Sequence, residues 1–263
     1  EISILEKGGV GSRGAFYDAL GALLDVGQNH ALQMAALVAM DNPGGPVRDR
    51  LSETIGDSKH RVSNGVNFSA EAVRAKRAAI LKEFVSDSKL ALRAQYEGYL
   101  AEPGVNPNST TETYFKIKLA LATPRWRGVD FTLEGGKGLS ESKAEISIYF
   151  KKPVEVFVSG GPVLAEALKL KIQPKEGISI INHSGNPTEI SFPNGGNMVD
   201  GRKNDAYEKV LLDAVKGDQT LFTSTEEVVA EWNIVMPIIE SWQNTPLIKY
   251  LKGTTPKIDV EKL

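Results

Sequence analysis

The stretch over residues 13–40, RGAFYDALGALLDVGQNHALQMAALVAM, constrains this chain more than any other. Its apolar residues at Phe16, Leu20, Leu23, Leu24, Leu32, Ala35 and Ala36 recur with the spacing of one helix face. A helix of that length spans roughly 40 Å at about 1.5 Å per residue, so its apolar stripe needs a wide surface to pack on. Two polar interruptions sit midway, Asp25 and the trio Gln28-Asn29-His30. A carboxylate and an imidazole within a half-buried helix destabilise it unless they reach solvent or bind something. Solvent is the plain reading, and a site is the other.

The surface that such a helix needs is offered downstream. From Leu90 the pattern turns to alternation, and residues 90–96, 112–120, 129–133, 144–150, 168–172, 178–181 and 188–192 read as strands, as do residues 2–5 before the helix. Loops rich in proline and glycine separate them, and the alternation predicts an antiparallel sheet with one buried and one polar face. Residues 41–46, DNPGGP, end the long helix. Further helices are predicted over 69–84 with Ser69 as N-cap, over 205–215 opened by Asp205, and over 224–242. The last carries a capping box from Ser224 to Glu227 and a kinking Pro237. Residues 244–263 read as a polar, irregular tail. The expected fold class is α+β, one domain over residues 1–263, with a large, mostly antiparallel sheet and helices packed on one face.

Charge and composition exclude several functions. With 31 Lys+Arg against 33 Asp+Glu and no basic run interleaved with aromatics, neither nucleic acid nor a membrane surface is an expected partner. The absence of cysteine excludes disulfides and thiolate metal sites, no metal site is predicted, and a reducing cytoplasm is the expected location. The longest apolar run, residues 31–40, is about half a membrane span, and no signal peptide is visible. An opening at Glu1, straight into a strand and without methionine, is what a piece of a longer chain would show. His60, beside Lys59, has no ligand-type neighbours and reads as a surface residue, and His183 sits in a polar turn.

Strand 2–5, then Gly9-x-Gly11-x-x-Gly14, then a helix matches the dinucleotide-binding fingerprint. That motif belongs to a compact βαβ unit with an acidic residue about 20 positions on. Here the helix runs through that position and no second strand follows Met40, so the reading is a glycine-rich turn that lets the chain enter a helix.

A longer pattern carries a resemblance. It comprises Glu6-Lys7-Gly8-Gly9-Val10-Gly11, Tyr17-Asp18, Asp25-Val26-Gly27-Gln28-Asn29-His30, Arg93-Ala94-Gln95-Tyr96 and Ser109-Thr110-Thr111-Glu112-Thr113. It continues through Pro124-Arg125-Trp126-Arg127-Gly128-Val129, Gly135-Gly136-Lys137, Asp205-Ala206-Tyr207-Glu208 and Gly217-Asp218-Gln219-Thr220-Leu221-Phe222. In this order, over nearly the whole chain, these motifs resemble the C-terminal, sugar-side domain of the glucose-6-phosphate dehydrogenases. The family's N-terminal Rossmann domain has no counterpart in the sequence, nor has its Asp-His-Tyr segment with the lysine that grips the substrate phosphate.

The resemblance implies oxidation of glucose 6-phosphate at C1 in the pentose phosphate pathway, with hydride passing to NADP and a lactone as product. By position it makes His30 the general base, Glu6 and Asp25 holders of sugar hydroxyls, and Lys137 and Gln173 substrate contacts. Imidazole suits the base because its pKa lies near working pH. Read locally, Lys137 is a solvated turn lysine and Gln173 a surface residue at a strand end. Asp25 and His30 are five apart, about 140° around an α-helix, so they are expected to line a broad pocket without pairing. NADP is implied for the full-length enzyme, its main site lying in the missing domain, and no cofactor is predicted for this chain. The implied partners are glucose 6-phosphate, a second copy in a homodimer through the large sheet, and the Rossmann domain of the same polypeptide. The isolated chain is expected to be inactive.

The sequence also departs from the family. Ser142 stands where the family has a second basic residue five places after the lysine, with Lys143 next. Residues 252–256, Lys-Gly-Thr-Thr-Pro, replace the usual Gly-Ser/Thr-Trp-Gly-Pro. Lys171 matches a residue that contacts a second, structural NADP in some members, a site not predicted here. The alternative function is a non-catalytic sugar-phosphate-binding or scaffold protein on the same fold.

Overall fold

A computed structural model describes residues 1–44, 68–158, 161–191, 198–199, 202–203 and 206–257. Strand β1 (Ile2–Leu5) leads through the glycine turn into a short helix α1 (Gly14–Asp18). The chain breaks at Gly21, whose φ of +79° is left-handed. It then re-enters a helix that is π-helical over Leu23–Ala31 and α-helical over α2 (Leu32–Ala39). The stretch expected as one helix is thus two, and Glu112 is the reason. The Leu23 N–H donates to the Glu112 carboxylate at 3.0 Å and the Ala22 N–H to its carbonyl at 3.1 Å. A Cβ at Gly21 would collide with that carboxylate, so both the backbone and the space require glycine.

Helix α3 (Ala70–Leu81) is capped by Ser69, whose hydroxyl accepts the Ala72 N–H at 3.1 Å. It ends at Leu81, short of the expected Phe84, because that ring opens strand β2 (Phe84–Tyr96) and is buried edge-on against Phe131 at 5.2 Å. Strands β3 (Tyr114–Leu121), β4 (Asp130–Gly136), β5 (Lys143–Val158), β6 (Gly161–Gln173), β7 (Gly177–Asn182) and β8 (Pro187–Ser191) follow. Short β9 (Met198–Val199) and β10 (Arg202–Lys203) pair with each other. Helices α4 (Ala206–Lys216) and α5 (Thr225–Ser241) precede a last strand, β11 (Ile248–Tyr250). The expectations for Lys59, His60 and the Asp205 cap lie outside the described residues.

The main sheet has nine strands in the order β11-β2-β3-β4-β1-β5-β6-β7-β8. All its pairs are antiparallel except β1 with β4 and β11 with β2. Strands β2, β5 and β6 run well past their predicted bounds because register shifts interrupt the alternation, between Ser86 and Ala91 in β2 and between Tyr149 and Val154 in the β5–β6 hairpin. The tail, expected to be irregular, supplies β11, whose three residues are too few for a period to show.

The π-helical segment lies against β1 and β4, α5 against β2, and α3 against α2 and α5. Two glycines let helix and sheet approach closely. A Cβ at Gly27 would stand 2.9 Å from the Phe115 ring, and one at Gly135 only 2.7 Å from it. Where the helices meet, polar groups are buried and paired. Arg77 Nε lies 2.6 Å from Glu227, and its Nη atoms donate to the carbonyls of Thr220 and Phe222. Glu227 also closes the expected capping box, accepting the Ser224 N–H at 2.7 Å. Glu231 accepts from Gln28 at 3.2 Å and Gln33 at 2.6 Å, tying α5 to the helix of Asp25 and His30.

Burial pushes the Glu231 carboxyl up to about 7, against the opposing hydrogen bond from Gln33. The folded chain therefore holds this proton more tightly than the unfolded chain, where a glutamate titrates near about 4.3. The stability it contributes is complete below that value and is lost as pH rises through about 7. Urea unfolding should show stability declining from about pH 5 to pH 8, with a shallower decline in Glu231→Gln. An identical slope in the two proteins would contradict this.

Candidate functional site

The parallel pair β1–β4 builds the floor of the site. Its register runs from Ile2 opposite Leu133 to Leu5 opposite Gly136, so both strands leave the sheet at one edge. The next residues, Glu6 and Lys137, are therefore neighbours. The Glu6 N–H donates to the Gly136 carbonyl at 2.9 Å and the Lys137 N–H to that of Thr113 at 2.8 Å. Lys137 is only 2% exposed, contrary to the reading of a solvated turn lysine. Its ammonium lies 2.7 Å from Glu6 Oε1, 3.3 Å from Asp25 Oδ2 and 5.4 Å from the centre of the Tyr17 ring. A buried ammonium is tolerated only when paired, and carboxylates from two different elements pair it here. Glu6, Asp25 and Lys137 thus form one cluster, open to solvent on the Glu6 side, where that side chain is 42% exposed.

The π-helical segment changes the expected relation of Asp25 to His30. Its hydrogen bonds reach from residue i to i+5, so residues five apart lie about one turn apart along the helix, not 140° around it. His30 is exposed, and its backbone N–H is held by Asn29 Oδ1 at 2.5 Å. Asp25 Oδ2 lies 3.3 Å from the Lys137 ammonium.

Gln173 ends β6 and is exposed. It stands opposite Ala144, which stands opposite Ile4 on its other side, so Gln173 shares the edge of the sheet from which Glu6 emerges, two strands away. Lys143 opens β5 at that edge, opposite Leu5 and 2.9 Å from Glu141. Burial disfavours its charge, but the hydrogen bond and negative charge of Glu141, with Glu145 and Glu134 nearby, outweigh this and raise its pKa. Ser142 accepts the Lys7 N–H at 2.9 Å.

Two buried groups beside the cluster stand within the motifs that carry the resemblance but were given no site role from the sequence. Tyr17 has its pKa raised, first by burial and then by the charges of Glu112 and Asp25. Glu112, read as a strand residue, is buried just before β3, and its carboxyl is pushed up to about 7 by burial. Its partners lie far away in sequence, so no local pattern marks it. His183 is exposed, with Nδ1 2.5 Å from Glu166, a hydrogen bond that raises its pKa.

The glycine turn is filled by the chain itself. A Cβ at Gly9 would meet Glu102 Oε1 and Lys252 Nζ at 2.8 Å, and one at Gly14 would overlap the Pro103 carbonyl. The Val10 N–H donates to the Tyr96 hydroxyl at 3.1 Å. Among the described residues, the strands beside β1 are β4 and β5, and no compact βαβ unit of the kind the fingerprint requires is seen. Among the described residues, no group of three or more His, Cys, Asp or Glu is placed to hold a metal ion, and no helix is long and apolar enough to cross a membrane.

The model of the family described as glucose-6-phosphate dehydrogenase, C-terminal domain, matches residues 1–263. Glucose-6-phosphate 1-dehydrogenase of Chlamydia muridarum is 32% identical over 284 residues, covering 97% of this chain and 51% of that protein. The protein of the same name from Aggregatibacter actinomycetemcomitans is 34% identical over 276 residues, covering 100% of this chain and 53% of the relative. The crystal structure of glucose-6-phosphate 1-dehydrogenase from Mycobacterium avium superposes with a TM-score of 0.70 at 30% identity, over 96% of this chain and 51% of that one. A glucose-6-phosphate dehydrogenase in complex with its substrate glucose-6-phosphate superposes with a TM-score of 0.75 at 25% identity, over 97% and 52%. The chain spans about half the length of the curated relatives it matches.

The packing of the glycine turn sets an order of stabilities. Gly9→Ala should destabilise by about 1–3 kcal/mol, as overpacking does, because flexible side-chain ends must move. Gly14→Ala should be worse, since it meets backbone. Chemical denaturation measures both, and a Gly14→Ala protein as stable as the parent would contradict the packing role.

Proposed function

This chain belongs to the glucose-6-phosphate dehydrogenase C-terminal domain family, and from that premise we propose that it is the sugar-binding and dimerising half of such an enzyme. The substrate is glucose 6-phosphate, oxidised at C1 to the lactone. The observation that carries this reading is the burial of Lys137 between Glu6 and Asp25, at the edge of the sheet where the segment bearing an exposed His30 arrives.

His30 takes the proton of the C1 hydroxyl as the bond to hydrogen at C1 breaks. Glu6 and Asp25 accept hydrogen bonds from neighbouring hydroxyls, a polarity that selects against analogues lacking them. Lys137 holds the two carboxylates apart and oriented, and Gln173 offers its amide from the same edge. NADP supplies the hydride acceptor. The glycine turn, occupied by Glu102, Lys252 and Tyr96, does not fit a dinucleotide, so we assign NADP to a Rossmann domain of the same polypeptide. The isolated chain then turns over no substrate. With no cysteine to protect, the cytoplasm is the location we assign.

Ser142, in place of a second basic residue, counts against a full substrate site, and the other reading is a non-catalytic sugar-phosphate-binding or scaffold protein on the same fold. The two readings separate at His30. In the full-length polypeptide, His30→Asn should lower kcat by about 10²–10⁴ while changing substrate affinity little. NADPH formation followed by absorbance reads this, and a variant that keeps most of the parent kcat would remove His30 from the mechanism.

We also propose a homodimer through the large sheet. Phe157 and Leu164 are 76% and 54% exposed. Leu164 stands opposite Glu155, two residues from Phe157, so both project from one face of the β5–β6 hairpin. Large exposed apolar groups sharing a face mark an interaction surface, and two-fold symmetry is its commonest closure. Sedimentation at micromolar concentration should show a dimer, and Phe157→Glu with Leu164→Glu should shift it to monomer. A parent chain that sediments as a monomer would exclude this interface.

A further inference from the structure

Two halves of the site arrive on separate elements. The helix after Gly21 brings Asp25 and His30, and the end of β4 brings Lys137. Two consecutive residues, Glu112 and Thr113, touch both. On the helix side, Glu112 Oε1 accepts the Leu23 N–H at 3.0 Å and its carbonyl accepts the Ala22 N–H at 3.1 Å. These are orphan donors of a helix start, and a carboxylate there also meets the favourable end of the helix dipole. On the strand side, the Thr113 carbonyl accepts the Lys137 N–H at 2.8 Å. The Thr113 hydroxyl, 2.9 Å from that of Tyr250, continues to the Lys137 carbonyl through a 2.5 Å hydrogen bond donated by Tyr250. Lys137 is therefore gripped at both its N–H and its C=O.

We infer that Glu112, together with Thr113, is a positioning residue that holds the segment of Asp25 and His30 in register with Lys137. The inference rests on the roles assigned above to those three residues. Glu112 touches no reacting atom. It fixes where the π-helical segment begins, two residues before Asp25, and thereby sets the 3.3 Å separation of Asp25 from Lys137 and the place of His30 beyond it. Packing alone does not call for a carboxylate at a site only 8% exposed, because an unionised side chain of the same shape would be buried at less cost. What the carboxylate adds is an acceptor aimed at Leu23, and Gly21 leaves the space in which it fits.

The test uses the full-length polypeptide carrying Glu112→Ala and Glu112→Gln, with kcat and KM for glucose 6-phosphate and amide exchange along Leu23–Ala31 as readouts. Loss of the acceptor should lower kcat by about 10²-fold, the scale of a misplacement of about 1 Å, with KM changing by less than tenfold. Amides of Leu23–Ala31 should exchange at least about tenfold faster while those inside β3 are unchanged. Glu112→Gln, which retains an oxygen for the Leu23 N–H, should recover kcat to within about threefold of the parent, a rescue that general destabilisation would not give. If Glu112→Ala does not fold, Glu112→Met replaces it, filling the volume without an acceptor. An unchanged kcat, unchanged exchange along Leu23–Ala31, or a glutamine variant as impaired as the alanine one each overturns the inference. A parent enzyme inactive on glucose 6-phosphate would instead overturn the proposed function, while the exchange data still decide what Glu112 holds.

Discussion

An ammonium group almost wholly removed from water must find negative charge close by, because burying it unpaired is far more unfavourable than any packing gain at one residue. Lys137 imposes that condition on the whole site. Its counter-charges come from the end of β1 and from the helix that crosses the sheet, so neither element can shift without leaving the ammonium short of a partner. The parallel pairing of β1 with β4 follows the same logic. In a sheet whose other interior pairs are antiparallel, this pair sends two chain ends to one edge, and Glu6 and Lys137 meet there. The glycines at 27 and 135 then allow the helix to descend far enough for Asp25 to reach.

Three irregularities of the fold gather around this cluster. The left-handed break at Gly21, the π-helical hydrogen bonding over Leu23–Ala31 and the buried carboxyl of Glu112 each depart from the least-strained choice. A straight α-helix over the same residues would turn Asp25 and His30 about 140° apart. The π-helical run instead brings them about one turn apart, and such runs are frequent at functional sites. Local rules fail together where a site imposes geometry that regular structure would not adopt.

That clustering explains part of what could be read in advance. Strand β3 was legible because Phe115, Ile117 and Leu119 keep strict alternation between flanking turns, and α5 because Ser224 and Glu227 announce its start. The outer half of the β5–β6 hairpin was not, since the register shift at Tyr149–Val154 scrambles the alternation there. Residue by residue, local reasoning would have made Lys137 a solvated turn lysine. Only the ordered set of motifs, read as a family resemblance, pointed to Glu6, Asp25, Lys137 and His30 together. Glu112 stands in one of those motifs but received no role: its local context is an ordinary polar run, and its contacts are to Ala22 and Leu23 across the fold.

Electrostatics determines how a sugar phosphate could face such a cluster. Glu6 and Asp25 against Lys137 leave about one net negative charge, a good acceptor for hydroxyl hydrogens and a poor neighbour for a phosphate dianion. On the proposed reading, the hydroxyl-bearing end of the sugar phosphate therefore suits the cluster, and its phosphate lies away from it. At the same edge of the sheet, Lys143 is held by Glu141, and Ser142 offers no charge. On that reading, the charge-assisted bonds that anchor a phosphate most strongly come chiefly from outside these residues, as does the hydride acceptor. Positioning two reactants about 3–3.5 Å apart can supply roughly 7–11 kcal/mol of barrier lowering, and half of a divided site cannot deliver it. On the proposed reading, this chain contributes the base and the hydroxyl contacts to a site that its partner domain completes.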